Sequence, residues 1–386
     1  MGRLTRAGAA VSALLGAAGL LVLPATAAGA SPLSGQPGNP SEHAVFVQTN
    51  ALSGNAVAVY DEASDGTLSA AGTYQTGGLG GQAVGSVADH LASQGSLAYD
   101  PQEGTLLAVN AGSDTVSVFA VRGDRLLLRQ VLPSGGTFPV SVAVHQRLAY
   151  VLNAGGAGSV AGFRVHAGFL VPIFGSTRSL GLANTTPPAF LTSPGQVGFS
   201  PDGSQLLVTT KASTSAIDIF AVDPDGRLAT SPVSSASSTP VPFAFTFTPA
   251  GQLVVAQAGG SAVGTYDVLP SGSLLDLATV ADGQQGLCWI AEAGDHYYVA
   301  NAGSADLSAY SVSPSGTLAL VGTTGVVAST DAGPIDLAAS VDGQSLYVEA
   351  GAAGAVDEFN VSSDGSLTAI GSVTGLGAGI EGITTS

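Results

Sequence analysis

Leu107-Ala108-Val109-Asn110-Ala111-Gly112, then Val116-Ser117-Val118-Phe119-Ala120-Val121, then Arg125-Leu126: this phrase decides the fold. An apolar run ends in a turn residue, a second run carries an aromatic, and a Leu follows a few positions later. The pattern returns seven times, on Tyr60, Phe119, Phe163, Phe220, Tyr266, Tyr310 and Phe359, at spacings of 59, 44, 57, 46, 44 and 49 residues. Three positions before each aromatic stands Val57, Val116, Val160, Ile217, Val263, Leu307 or Val356. Two positions after it stands Val121, Val165, Val222, Val268, Val312 or Val361, with Glu62 in the first copy the exception. Repeats of about 40–50 residues built from short strands belong to propellers.

Working outward from the anchors, each repeat reads as four strands. In the fourth, Gln196–Ser200 is the first strand, Gln205–Thr209 the second and Ile217–Val222 the third, with the last beginning near Leu228. Pro201-Asp202-Gly203 and Pro224-Asp225-Gly226 are turns, because Gly accepts positive φ and Pro presets it negative. The first repeat starts at a second strand, His43–Val47, and so lacks an innermost one. The last residues, Gly379–Thr384, have the pattern of that missing strand. The expected fold is therefore an all-β, seven-bladed propeller of four-stranded antiparallel blades over residues 43–386, its ring closed by the C-terminal strand, which removes an exposed sheet edge.

Residues 1–30 read as a signal peptide. Arg3 and Arg6 precede an apolar stretch from Ala7 to Leu23, and small-residue cleavage sites follow near Ala27 or Ala30. Residues 31–42, rich in Pro, Gly and Ser, read as a flexible leader. The expected location is extracellular. The 386-residue chain has a net charge of −17, and without Arg3 and Arg6 it carries 27 acids against 8 bases, net −19. That excludes nucleic acid as a partner, since phosphate binding needs clustered Lys and Arg. No stretch is long and apolar enough for a membrane span after the signal. Cys288 is the one cysteine, so no internal disulfide forms. No His-x-x-x-His or Cys-x-x-Cys spacing is present, so neither a metal nor any cofactor is expected.

The phrases Tyr150-Val151-Leu152-Asn153, Tyr298-Val299-Ala300-Asn301 and Ala108-Val109-Asn110, with the turns Phe199-Ser200-Pro201-Asp202-Gly203 and Phe247-Thr248-Pro249, resemble the lactonase-family propellers with YVTN-like repeats. The likeness extends over residues 43–386 and is to exported actinobacterial members in particular. It implies a lactone hydrolase or cyclase similar to 6-phosphogluconolactonase and the carboxymuconate cyclases, with His and Arg at the start of the innermost strands. The matching positions here are Gly95-Ser96, Phe138-Pro139, Gly195-Gln196, Phe243-Ala244, Gly286-Leu287 and Ile335-Asp336. None is His or Arg, which turns the expectation towards ligand binding at the propeller mouth by a secreted monomer. The alternatives are a lactonase acting on a neutral lactone and a cell-envelope structural propeller.

Residues that depart from the repeat are the candidates for a site, and no catalytic residue is assigned among them. Lys211, the one lysine of the chain, stands in a turn where other repeats carry Ala, as an exposed lysine or an anion ligand. Two long inter-blade loops, 75–95 and 175–194, bring Asp89, His90 and Arg178 to the rim. Asp89 beside His90 offers an imidazole–carboxylate pair, although neighbouring residues point apart. Gln196, Asp336 and Glu381 are placed on innermost strands, lining a water-filled channel. The ligand classes compatible with such a mouth are a small molecule, a glycan or a peptide.

Overall fold

A computed structural model describes residues 43–386; the expected signal peptide and leader lie outside the described residues. Seven antiparallel sheets follow one another along the chain. Blade 1 is built from Ala44–Gln48, Ala56–Glu62 and Leu68–Gln75, with Ile383–Thr385 as its innermost strand. Blades 2 to 7 begin at Leu97, Pro139, Val197, Pro242, Leu287 and Pro334. Two 3₁₀ turns, Lys211–Ser213 and Ala258–Gly260, are the helical elements described. No helix among the described residues is long and apolar enough to cross a membrane.

Each aromatic anchor is buried, and each marks a break in the outermost strand. In blades 1, 2, 5 and 7 the pairing of third and fourth strands slips by one residue at Tyr60, Phe119, Tyr266 and Phe359. In blades 3 and 6 the fourth strand splits there into two pieces. In blade 4, Leu228 makes one bridge to Val222 and the regular strand is Val233–Ala236, later than its sequence suggests. A bulge sharpens local twist and lets the sheet curl around a ring packed against the next blade.

Blades are fastened to one another by a repeated bond that explains the Tyr of the second strand. The hydroxyl of Tyr150 donates to Gly226 O of the next blade at 2.7 Å, Tyr298 to Gly365 O at 3.1 Å and Tyr347 to Gly66 O at 2.9 Å. Each acceptor belongs to an Asp-Gly turn, where Gly226, Gly365 and Gly66 have positive φ. The last of these bonds joins blade 7 to blade 1. Closure is completed by Gln48 N to Gly382 O (2.9 Å), Glu381 N to Gln48 O (3.0 Å) and Ser386 N to Ala44 O (3.0 Å). Ile380 and Ile383 are buried beside Val45, Val47 and Tyr347. The closing strand is shorter than Gly379–Thr384, but it occupies the place that its sequence indicates.

Candidate functional site

The mouth of the propeller, where second-to-third strand turns and inter-blade loops gather, is filled by the chain itself. Segment Leu91–Gly95 enters the channel and bonds to the innermost strands around it. Ser93 Oγ donates to Val140 O of blade 3 (2.8 Å), and Gln94 N to Gly195 O at blade 4 (3.1 Å). The Trp289 indole N–H of blade 6 donates to Ser93 O (2.9 Å). Gln94 Nε2 donates to Ile290 O (2.8 Å) while its Oε1 accepts Ile290 N (3.0 Å), reproducing a rung of a β-ladder. Gly95 N donates to Asp336 Oδ2 of blade 7 (3.3 Å), and Leu91 N to Glu381 Oε2 at blade 1 (3.3 Å). One short segment thus ties together five blades.

Above this plug the two long loops join. Val84 N donates to Pro188 O (2.8 Å) and Phe190 N to Val84 O (3.0 Å), a parallel bridge around Ala189. Lys211 locks both. It is neither exposed nor open to an anion: its side chain is wholly buried. Its Nζ donates to Ala92 O (2.5 Å), Phe190 O (2.6 Å) and Ser193 Oγ (2.8 Å), which uses all three ammonium donors. The ammonium lies 5.1 Å from the Phe190 ring centroid and 4.9 Å from that of Phe243, within cation–π range. Burial pulls its pKa down to about 8, an effect opposed first by the nearby Asp89 carboxyl.

Asp89, Asp336 and Glu381 are buried beneath this roof instead of lining a water-filled channel. Asp89 Oδ1 accepts the N–H groups of Ala92 and Ser93, bending the segment into the channel. Asp336 also accepts Leu337 N at 2.9 Å, and burial pushes its pKa up to about 7. Glu381 stands well above the ordinary carboxylate range, first through burial and then through Asp89. His90 is half exposed with its ring against Gly379, where a Cβ would overlap the imidazole, and no hydrogen bond joins it to Asp89. Burial lowers its pKa. The two residues therefore form no catalytic pair.

The remaining candidates hold the scaffold. Gln196 bridges the innermost strands of blades 4 and 5 through Phe245 O (3.1 Å) and Phe245 N (2.7 Å). Arg178 sits on the outer rim and donates to the carbonyls of Gly175, Thr177, Leu228 and Ala229 (2.6–3.0 Å), spanning the break in blade 3's last strand. Cys288 is buried and its thiol is pushed up to about 12 by burial, so it is protonated and a poor nucleophile.

Two polar residues at the centre escape a reading from spacing alone. The residue paired with each anchor-minus-three position is Val109, Leu152, Thr209, Ala256 or Ala300 in five blades, but Gln48 in blade 1 and Glu349 in blade 7. Both flank the closing strand and are fully buried. Glu349 Oε2 accepts Gly382 N (2.9 Å), while its Oε1 and both side-chain amide atoms of Gln48 have no partner among the described residues. Aligning the repeats on strand pairing, instead of on the aromatics, exposes this pair. Among the described residues no three His, Cys, Asp or Glu side chains are gathered to hold a metal ion.

A cleft of about 310 Å³ runs along the outer strands of blades 2 and 3 past Leu132, Gly135, Ala161, Ile173 and Thr177, and other clefts lie on the face opposite the mouth. On that face a cleft of about 560 Å³ runs between blades 7 and 1 past His43, Glu62, Asp65, Asp342 and Asn360. Others of about 470, 380 and 270 Å³ occupy the equivalent grooves between blades 4 and 5, 3 and 4, and 2 and 3. They recur with the repeat, as packing gaps between neighbouring turns do.

Residues 39–288 match the family model described as lactonase, 7-bladed beta-propeller. Among solved structures, the periplasmic gluconolactonase PpgL of Pseudomonas aeruginosa is 19% identical, with a TM-score of 0.69 over 89% of this chain and 98% of that one. A 6-phosphogluconolactonase candidate from Bacteroides uniformis is 18% identical, with a TM-score of 0.68 over 90% and 100%. At such identities the likeness is one of fold. Curated protein sequences give no match. The family match covers well over half of the chain: this protein belongs to the lactonase family of seven-bladed β-propellers.

Proposed function

We propose that this protein is a secreted, monomeric, non-catalytic member of its family that docks a polypeptide on its closed mouth face. The observation that carries this reading is the plug: Leu91–Gly95 occupies the channel mouth, and Asp89, Lys211, Asp336 and Glu381 are buried and bonded to it. A small polar ligand or glycan needs a concavity with converging polar groups. The mouth face instead presents aliphatic side chains on its joined loops, with Val84 and Leu191 each 59% and Val87 84% exposed. Such exposed apolar groups on a soluble protein suit a protein interface. The net charge of −17 favours a partner with basic residues around its apolar contacts.

The test pairs binding with turnover. Wild-type protein is expected to retain peptides that combine aliphatic and basic residues. The variant Val84→Asp/Leu191→Asp should lose them while keeping its melting temperature within about 2 °C, as surface substitutions do. Neutral and phosphorylated lactones should remain unhydrolysed by both proteins. Turnover of any lactone above the uncatalysed rate, or undiminished peptide binding by the variant, would contradict the reading.

A further inference from the structure

We propose that the channel plug is a proton-held latch: Leu91–Gly95 stays seated while the carboxyls around it share protons, and it lifts when alkaline solution removes them. Four carboxyl groups, Asp89, Asp336, Glu349 and Glu381, are 0–3% exposed, and the cation among them is Lys211. All four cannot be ionised against one ammonium in a buried space without a large cost. Asp89 and Glu381 lie side by side, their carboxyl groups within hydrogen-bonding reach. Asp89 Oδ2 has no N–H or O–H donor among the described residues. One proton between the two carboxyls supplies that donor, as in any carboxyl pair forced together.

The latch and the plug are the same residues. Asp89 holds the N–H groups of Ala92 and Ser93, Glu381 holds Leu91 N and Asp336 holds Gly95 N, so charge repulsion among these acids pulls at both ends of the segment. The other groups facing it are Glu349 on blade 7, Lys211 on blade 4, Cys288 on blade 6 and the half-exposed His90 at its entrance. Blades 3 and 5 bring the uncharged Val140 and Phe243. Burial raises the four acids in the folded state, so between their ordinary range and their raised values the closed form binds more protons than an opened one. Its stability is therefore full below about pH 4 and declines as pH rises through the raised values, about 7 for Asp336. Lys211 works in the opposite sense, but above about 8, where it loses its own proton.

The molecule contains its own reporter. Trp289 is the one tryptophan of the chain, and its indole donates to Ser93 O of the plug. Trp289 emission and hydrogen exchange of the Leu91–Gly95 amides should be followed from about pH 5 to about pH 9, with exchange corrected for its intrinsic pH dependence. Across this range emission should shift to the red and protection of the segment should fall by at least about tenfold, while far-ultraviolet circular dichroism stays constant. Glu381→Gln, which carries a permanently neutral side chain of the same shape, should flatten the transition; Asp89→Asn provides a second such variant if the first fails to fold. Unchanged protection across the range would overturn the latch. So would loss of the plug only together with the whole fold, or an identical transition in a folded neutral variant.

Discussion

Replacing Lys211 by alanine should destabilise the propeller by about 3–5 kcal/mol, the usual cost of breaking a buried, hydrogen-bonded charge network from one side. The substitution leaves Ala92 O, Phe190 O and Ser193 Oγ without their donor and withdraws the cation from Asp89 and Glu381. It also leaves a cavity against Phe190 and Phe243. Both mouth loops depend on this one side chain, so protease cleavage within residues 76–95 and 184–194 should accelerate. Lys211→Met separates packing from bonding: it keeps most of the volume between the rings and none of the three donors. Its urea midpoint should fall between those of the wild type and Lys211→Ala. A midpoint for Lys211→Ala equal to wild type would show that the buried ammonium contributes nothing to the closed mouth.

A chain ending at Gly379 should fail to form a stable monomer. It loses the innermost strand of blade 1, buried Ile380 and Ile383, the partner of Gln48 and Glu381 from the plug. Two buried isoleucines alone represent about 3–6 kcal/mol of transfer free energy, a large part of what keeps a domain folded. The deletion also bares Ala44–Gln48 as an apolar sheet edge. Size-exclusion chromatography should show aggregates, and a synthetic peptide of residues 376–386 added during refolding should restore monomer. A truncated chain that elutes as a monomer with the wild-type melting temperature would refute the role given to the closing strand.

The fold was legible because each blade repeats the same physics. Anchors such as Phe119 and Tyr266, the Asp-Gly turns and the unfinished first repeat each state part of the ring, and the closing strand follows from what blade 1 lacks. The site was legible only as residue identities. Lys211 stands out by its uniqueness, and Asp336 and Glu381 by breaking an apolar strand, yet their surroundings depend on distant chain. Lys211 meets Ala92 across 119 positions, and Glu381 meets Leu91 across 290. Nothing local in Asp89-His90-Leu91-Ala92-Ser93 announces that the loop turns into the channel, because the hydrogen-bond partners that draw it in belong to blades 3, 4 and 6. Gln48 and Glu349 were hidden for another reason: only the strand register shows that they replace Val109 and Leu152.

The central claim is that the mouth is closed by fixed structure and not by a mobile lid over a working site. Native-state hydrogen exchange at about pH 5, mapped along the whole chain, tests it most directly. The amides of Leu91, Ala92, Ser93 and Gln94 should exchange as slowly as those of the innermost strands, such as Val142 and Ile290. Exchange of the four amides at rates typical of exposed turns, with the strands still protected, would mean that the channel opens freely, and the account of a sealed, non-catalytic mouth would be wrong.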